Sequence, residues 1–193
     1  MKNIFILISF IFFMFSNKAF SNLDDKTKIL NYLGSLKFFS ASFIQNDGES
    51  LSEGVVYISE KRVRAEYTSP TKILIILDKN KAMYYDYELE EDEFFNPKNT
   101  NAWFLYDLFR DPYFFKNSLI KVDKNEIVLE KRGVDIEKND YLIKTFFENN
   151  PLILRRVEVV VNDNFLQLSI FNHNYNTVFD KDLFKLINPK LLN

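Results

Sequence analysis

Between Gly54 and Asp86 apolar and polar positions alternate in short runs, broken by Lys61-Arg62, Ser69-Pro70 and Asp78-Lys79-Asn80. Runs of this length bounded by turn-forming residues predict four β-strands joined by tight turns. In Arg62–Tyr67, Val63, Ala65 and Tyr67 share one face while Arg62, Arg64 and Glu66 share the other, because successive strand side chains point to opposite sides. Ile73–Leu77 is apolar at every position and is expected to be covered on both faces. A two-faced sheet of this kind needs something packed into its concavity.

The flanking segments extend the pattern. Asp24–Leu36 reads as a helix, with Asp24 or Asp25 as cap, Ile29, Leu30 and Leu33 at helical spacing and Gly34 at its end. Phe38–Gln45 is a strand with Phe39, Ala41, Phe43 and Gln45 on one face, and Asn46-Asp47-Gly48 turns it into Leu51–Ser59. Leu89–Phe95 is acidic and stops at Pro97. Asn99-Thr100 caps an apolar helix, Ala102–Phe109, and Pro112 opens a second short helical turn holding Tyr113, Phe114 and Phe115. Helices apolar nearly all round are buried on more than one side or cover a ligand space. Ile120–Val122, Ile127–Lys131, Tyr141–Phe147, Leu152–Val161, Phe165–Phe171 and Leu183–Ile187 carry further strand signals. About eleven strands with two short helical insertions, and no linker or repeat, predict a mainly β protein with some α structure. The architecture expected is one antiparallel, half-open β-barrel whose mouth the helices fill.

The first residues do not belong to that domain. Met1-Lys2-Asn3 precedes an apolar run from Ile4 to Phe15, and Ala19-Phe20-Ser21 supplies small residues for cleavage. The run is too short for a stable span, so residues 1–21 are predicted to be a signal peptide, leaving a domain of 22–193 exported to the periplasm. Without Lys2 and Lys18 the remainder has 23 basic against 27 acidic residues, a net charge of −4. That balance offers nothing to a polyanion, so no nucleic-acid partner is expected. The chain has no cysteine. Bacterial lipoproteins are acylated on a cysteine directly after the leader; here that position is Asn22, so the chain is not expected to be a lipoprotein itself.

Catalysis has little to stand on. His173 is the one histidine, in Phe171-Asn172-His173-Asn174, which reads as a solvated polar turn after a strand. One histidine and no cysteine exclude a zinc constellation, and four glycines leave no phosphate-cradling loop and no nucleophile elbow. No enzyme activity, metal or cofactor is expected. The acidic run Glu88–Glu93 lacks the glycine that shapes a calcium loop and reads as a solvated hairpin rim. The cluster Lys61-Arg62-Val63-Arg64 has two readings. It is either the solvent face of a strand or a cation at a cavity edge, hydrogen-bonding carbonyls of the covering helices.

Several segments, taken in order, resemble the periplasmic outer-membrane lipoprotein carrier (LolA) family. They are Phe43-x-Gln45, Gly54, Arg64-Ala65-Glu66-Tyr67-x-x-Pro70, the strand ending at Asp78 and Tyr84-Tyr85-Asp86. Val157–Asn164, Leu168-x-Ile170-x-Asn172 and Leu183–Pro189 continue the likeness over nearly the whole mature chain. The resemblance implies an open barrel with a helical lid over an apolar cavity. It implies a monomeric carrier that takes acylated lipoproteins from an inner-membrane ABC-type releasing complex and delivers them to an outer-membrane receptor. The receptor shares the fold but needs the missing cysteine. A related domain that senses lipids or lipoproteins and binds a signalling partner, without shuttling, is the other class the pattern fits.

On these grounds a lipid-binding cavity is expected from Phe43, Tyr57, Tyr67 and Ile75 on the strands and Trp103, Phe104, Leu108 and Phe109 on the lid. One departure bears on closure. The family's Arg-Pro pair, whose arginine locks the lid, is replaced by Ser59-Glu60-Lys61-Arg62. Arg62, Lys61 or Arg64 supplies the locking cation, or the lid closes by aromatic packing alone.

Overall fold

The computed structural model describes residues 24–100, 102–111 and 113–192, so the leader, its cleavage point after Ser21 and Pro112 lie outside the described residues. Eleven strands are present: β1 (Phe39–Asn46), β2 (Leu51–Ile58), β3 (Val63–Ser69), β4 (Ile73–Leu77), β5 (Ala82–Asp86), β6 (Glu91–Phe95), β7 (Leu119–Val122), β8 (Glu126–Val134), β9 (Asp140–Glu148), β10 (Ile153–Val161) and β11 (Asn164–Asn174). A helix α1 covers 24–35, and a two-turn helix α2 covers Trp103–Arg110.

The strands form one sheet in the order β6-β5-β4-β3-β2-β1-β11-β10-β9-β8-β7. Two hairpin meanders therefore run outward from the central β1–β11 pair, in which Phe43 stands opposite Ile170. β6 and β7 end the sheet and do not pair with each other, so the barrel stays half open. The connection from β6 to β7 contains α2. It has to cross from one free edge to the other, and that places the helix over the concave side. α1 packs into the same core through Ile29, Leu33 and Leu36. Its Tyr32 ring meets Phe147 edge-on, and its hydroxyl accepts the Leu154 amide at 3.1 Å.

The alternation predicted for the central strands is present. Ala41, Val56, Ala65 and Ile75 are successive cross-strand neighbours on the concave face. β4 is covered on both sides, as its all-apolar sequence requires. Ile75 and Leu77 face inward, whereas Leu74 and Ile76 form a second cluster outside with Met83, Tyr85 and Leu186. Gly54 is required by close approach: a Cβ there would lie 2.2 Å from the Glu66 carbonyl oxygen and 2.6 Å from Cζ of Phe43, whose ring lies across it.

Three expectations are corrected. Leu183–Ile187 is no strand but a run of turns and bends crossing the outer face of the sheet. Its backbone carbonyls at Leu183 and Phe184 accept from Arg64 and Arg62 instead of a ladder partner. The eleventh strand is instead the acidic Glu91–Phe95, an edge strand whose charges stay in water while Phe94 and Phe95 sit opposite Met83 and Ala82. His173 is not in a solvated turn but near the end of β11, half-buried, with Nε2 2.7 Å from the Leu154 carbonyl oxygen and its ring stacked on Tyr175.

Candidate functional site

The concave face and α2 enclose a cavity of about 200 Å³. From the strands come Phe43 and Gln45 of β1, Val56 of β2, Ala65 and Tyr67 of β3, and Ile75 and Leu77 of β4. Leu166, Leu168 and Ile170 of β11 close the opposite wall. Ala102, Phe104, Leu105 and Phe109 form the roof. The two polar side chains in this lining satisfy each other, since the Tyr67 hydroxyl donates to Gln45 Oε1 at 2.8 Å. Burial pushes the Tyr67 phenol up to about 12. Phe43 packs edge-on against the Tyr67 ring with centroids 5.1 Å apart. The result is an apolar space with no charged group in its wall.

α2 presents three different faces, which explains why a helix of eight residues is apolar nearly all round. Phe104, Leu105 and Phe109, together with Ala102 just before the helix, line the cavity. Leu108 is buried on the side toward α1, against a second pocket. Trp103 and Asp107 face the β8–β9 hairpin, where the Trp103 ring meets Tyr141 at 5.1 Å. Burial holds the Asp107 carboxyl above the ordinary aspartate range, with Asp111 adding to the effect.

Of the eight residues expected around the cavity, Phe43, Tyr67, Ile75, Phe104 and Phe109 line it together. Tyr57, Trp103 and Leu108 do not. Tyr57 stands opposite Ser40, and Val56 takes the inward phase of β2, so Tyr57 points to the outer face and meets Phe179 there. Period-two alternation gives the sets but not which set faces in. Trp103 and Leu108 face other neighbours, and a helix apolar on every side carries no marker for its cavity face.

The cations are also relocated. Arg62 Nε donates to Asp78 Oδ2 at 2.8 Å and its Nη1 to the Phe184 carbonyl at 2.8 Å. Arg64 pairs with Glu66 and donates through Nη1 to the Leu183 carbonyl at 2.7 Å. Both bind backbone carbonyls, but those of the C-terminal segment on the outer face and not those of the lid. Lys61 is exposed in the β2–β3 turn. The arginine that ties the lid down is in the lid. Arg110 Nη1 donates to the Ser59 carbonyl at 2.7 Å, with a longer contact to Glu60, and Nη2 donates to the Leu36 carbonyl at 2.7 Å. One guanidinium thus spans α2, the β2–β3 turn and the end of α1. The sequence held one signal for it: a cation in the last turn of a mostly apolar helix, where the helix dipole also favours positive charge.

Among the described residues, no group of three His, Cys, Asp or Glu side chains could hold a metal ion, and no helix is long and apolar enough to cross a membrane.

Comparison with known proteins agrees with this geometry. The model of a family described as "Outer membrane lipoprotein carrier protein LolA" matches residues 34–187. An uncharacterized protein, RP864, of Rickettsia prowazekii (strain Madrid E) is 28% identical over 208 aligned positions, covering 99% of this chain and 90% of that one. An uncharacterized conserved protein from Thermus thermophilus has the same fold, with a TM-score of 0.56 at 9% identity over 86% of this chain and 96% of its own. The Pseudomonas aeruginosa MucA/MucB complex contains a chain that matches with a TM-score of 0.48 at 9% identity, over 83% of this chain and 60% of that one.

Proposed function

The chain belongs to the outer membrane lipoprotein carrier protein LolA family, and on that footing we propose that it is a periplasmic chaperone for the acyl chains of lipoproteins. The observation that carries this reading is the apolar cavity under α2, whose two polar side chains bond to each other and present no anchor to a polar ligand. Removing an acyl chain from water is favourable by about 0.8 kcal/mol per CH₂, so such a wall needs no specific contact to hold one. A carrier must also let go, and many weak apolar contacts allow transfer where a few strong polar ones would not.

The size of the cavity assigns a role to the lid. Small-molecule sites occupy roughly 300–1,000 Å³, and the enclosed space here is about 200 Å³. Loading a multiply acylated lipoprotein therefore requires α2 to lift. Arg110 is the latch in this reading, since its guanidinium is what ties the helix to the Ser59 and Leu36 carbonyls. The cycle proposed is collection from an inner-membrane ABC-type releasing complex, transit as a monomer with the acyl chains shielded, and delivery to an outer-membrane receptor. No catalytic step is involved.

The test is incubation of the mature chain, residues 22–193, with spheroplasts whose inner membrane is intact. A soluble one-to-one complex with a triacylated lipoprotein, formed only with ATP, is the expected result. Binding of free fatty acid without any such release would favour the lipid-sensing reading, and failure to bind either would end the acyl-binding reading.

A further inference from the structure

On its far side α2 borders a second pocket, of about 440 Å³, between α2, α1 and the β2–β3 turn. Part of its inner wall is apolar: Leu33, Leu108 and Phe115 are buried and Leu30 is half-buried. Three of its charged members, Lys37, Glu60 and Asp111, are exposed at the outer rim; the fourth, Arg110, is half-buried with its guanidinium bonded to the Ser59 and Leu36 carbonyls. Phe109 lines this pocket and the central cavity alike, and is 5% exposed. The ring is the partition between the two spaces.

We propose that the α1–α2 pocket is a second acyl subsite, and that the Phe109 ring is the gate through which a long acyl chain passes into it from the cavity. The inference rests on the acyl-binding reading above and adds the route and the capacity. The cavity alone, at about 200 Å³, falls short of the roughly 300 Å³ at which ligand sites begin, and the two spaces joined fall well inside the range. A χ rotation of one side chain joins them without unfolding any element. The terminal methyl end of the chain lies against Leu33, Leu108 and Phe115, and the charged rim stays in water. The same pocket is bordered by Arg110, so a chain that fills it presses on the side chain that ties the lid to Leu36 and Ser59. Occupancy of the deep subsite thereby loosens the latch.

Gly34 provides the test. It lies on the wall of this pocket, and a Cβ built there meets nothing within 4 Å, so a side chain can leave the backbone at this position without a clash. Binding of palmitate and octanoate to the full mature chain is measured by calorimetry, for the wild type and for Gly34→Trp. Palmitate affinity is expected to fall about tenfold in the variant as the buried methylenes lose their place, while octanoate, confined to the cavity, binds as before. In the wild type, palmitate carrying a diazirine at its terminal carbon is expected to label the peptides of Leu33 and Phe115. Unchanged palmitate affinity in Gly34→Trp, or labelling restricted to Val56, Ile75 and Leu168, would overturn the subsite and leave the cavity reading standing. If neither fatty acid binds the wild type, the acyl reading itself falls, and the subsite with it.

Discussion

Arg110 Nη2 donates to the carbonyl oxygen of Leu36 at 2.7 Å, across 74 residues of sequence, and so fastens the end of the lid helix to the end of α1. Hydrogen bonds made by a charged group contribute about 1.5–3 kcal/mol each, and α2 is too short to be stable without its tertiary contacts. Arg110→Gln is therefore expected to raise amide exchange in α2 about tenfold or more and to speed acyl loading. Arg62→Gln, by contrast, should loosen the C-terminal segment around Phe184 and leave α2 exchange unchanged. Equal effects of the two variants on α2 would show that the latch is misassigned.

The two glycines Gly54 and Gly34 should respond in opposite directions to alanine. At Gly54 the new methyl would collide with the Glu66 carbonyl and the Phe43 ring, an overpacking expected to destabilise by about 1–3 kcal/mol. At Gly34 it enters open space in the last turn of α1, where alanine is the better helix former by about 0.5–1 kcal/mol. Urea denaturation midpoints read both shifts, and a stable Gly54→Ala would mean that the β3 backbone at Glu66 shifts and the Phe43 ring swings aside at little cost.

Tyr67 sets an alkaline limit. Its phenol is about 10 when unfolded and about 12 in the fold, because burial disfavours the anion. Stability from this group is complete below pH 10 and is lost as pH rises through about 12, to a total of roughly 2–3 kcal/mol. Tyr67→Phe should remove one late-titrating phenol from the ultraviolet titration. It should also leave Gln45 Oε1 without its donor, at a cost of about 1 kcal/mol at neutral pH.

His173 sets an acidic one. Burial lowers its pKa, the Leu154 carbonyl opposes that shift, and Arg155 adds to the lowering. The unfolded chain thus takes up a proton at His173 before the folded one does. Stability is present above the unfolded value of 6.5 and is lost as pH falls from there toward the folded pKa. His173→Gln should flatten the fall of the urea midpoint as pH drops below the unfolded value of 6.5. An unchanged slope would assign the acid sensitivity to carboxylates.

Sequence by itself determined much of the barrel. The alternation in β3, the unbroken apolar run of β4 and the turn residues between strands are local properties of the chain, and they fix element type and the need for cover on both sides of β4. They also separated the face of Ala65 and Tyr67 from that of Arg62 and Arg64, and both faces are found as paired. Tertiary structure decided what local pattern cannot carry. Which face of β2 turns inward depends on its register with β1, and that register placed Val56 in the cavity and Tyr57 outside. Leu183–Ile187 has the composition of a strand, yet both edges of the sheet lie elsewhere, so its carbonyls were left to Arg62 and Arg64. The division of α2 into three faces came from three different neighbours, the concave sheet, α1 and the β8–β9 hairpin. The latch followed from the same arrangement, because Arg110 could find the Ser59 and Leu36 carbonyls only after the chain had brought three distant segments to one end of the barrel.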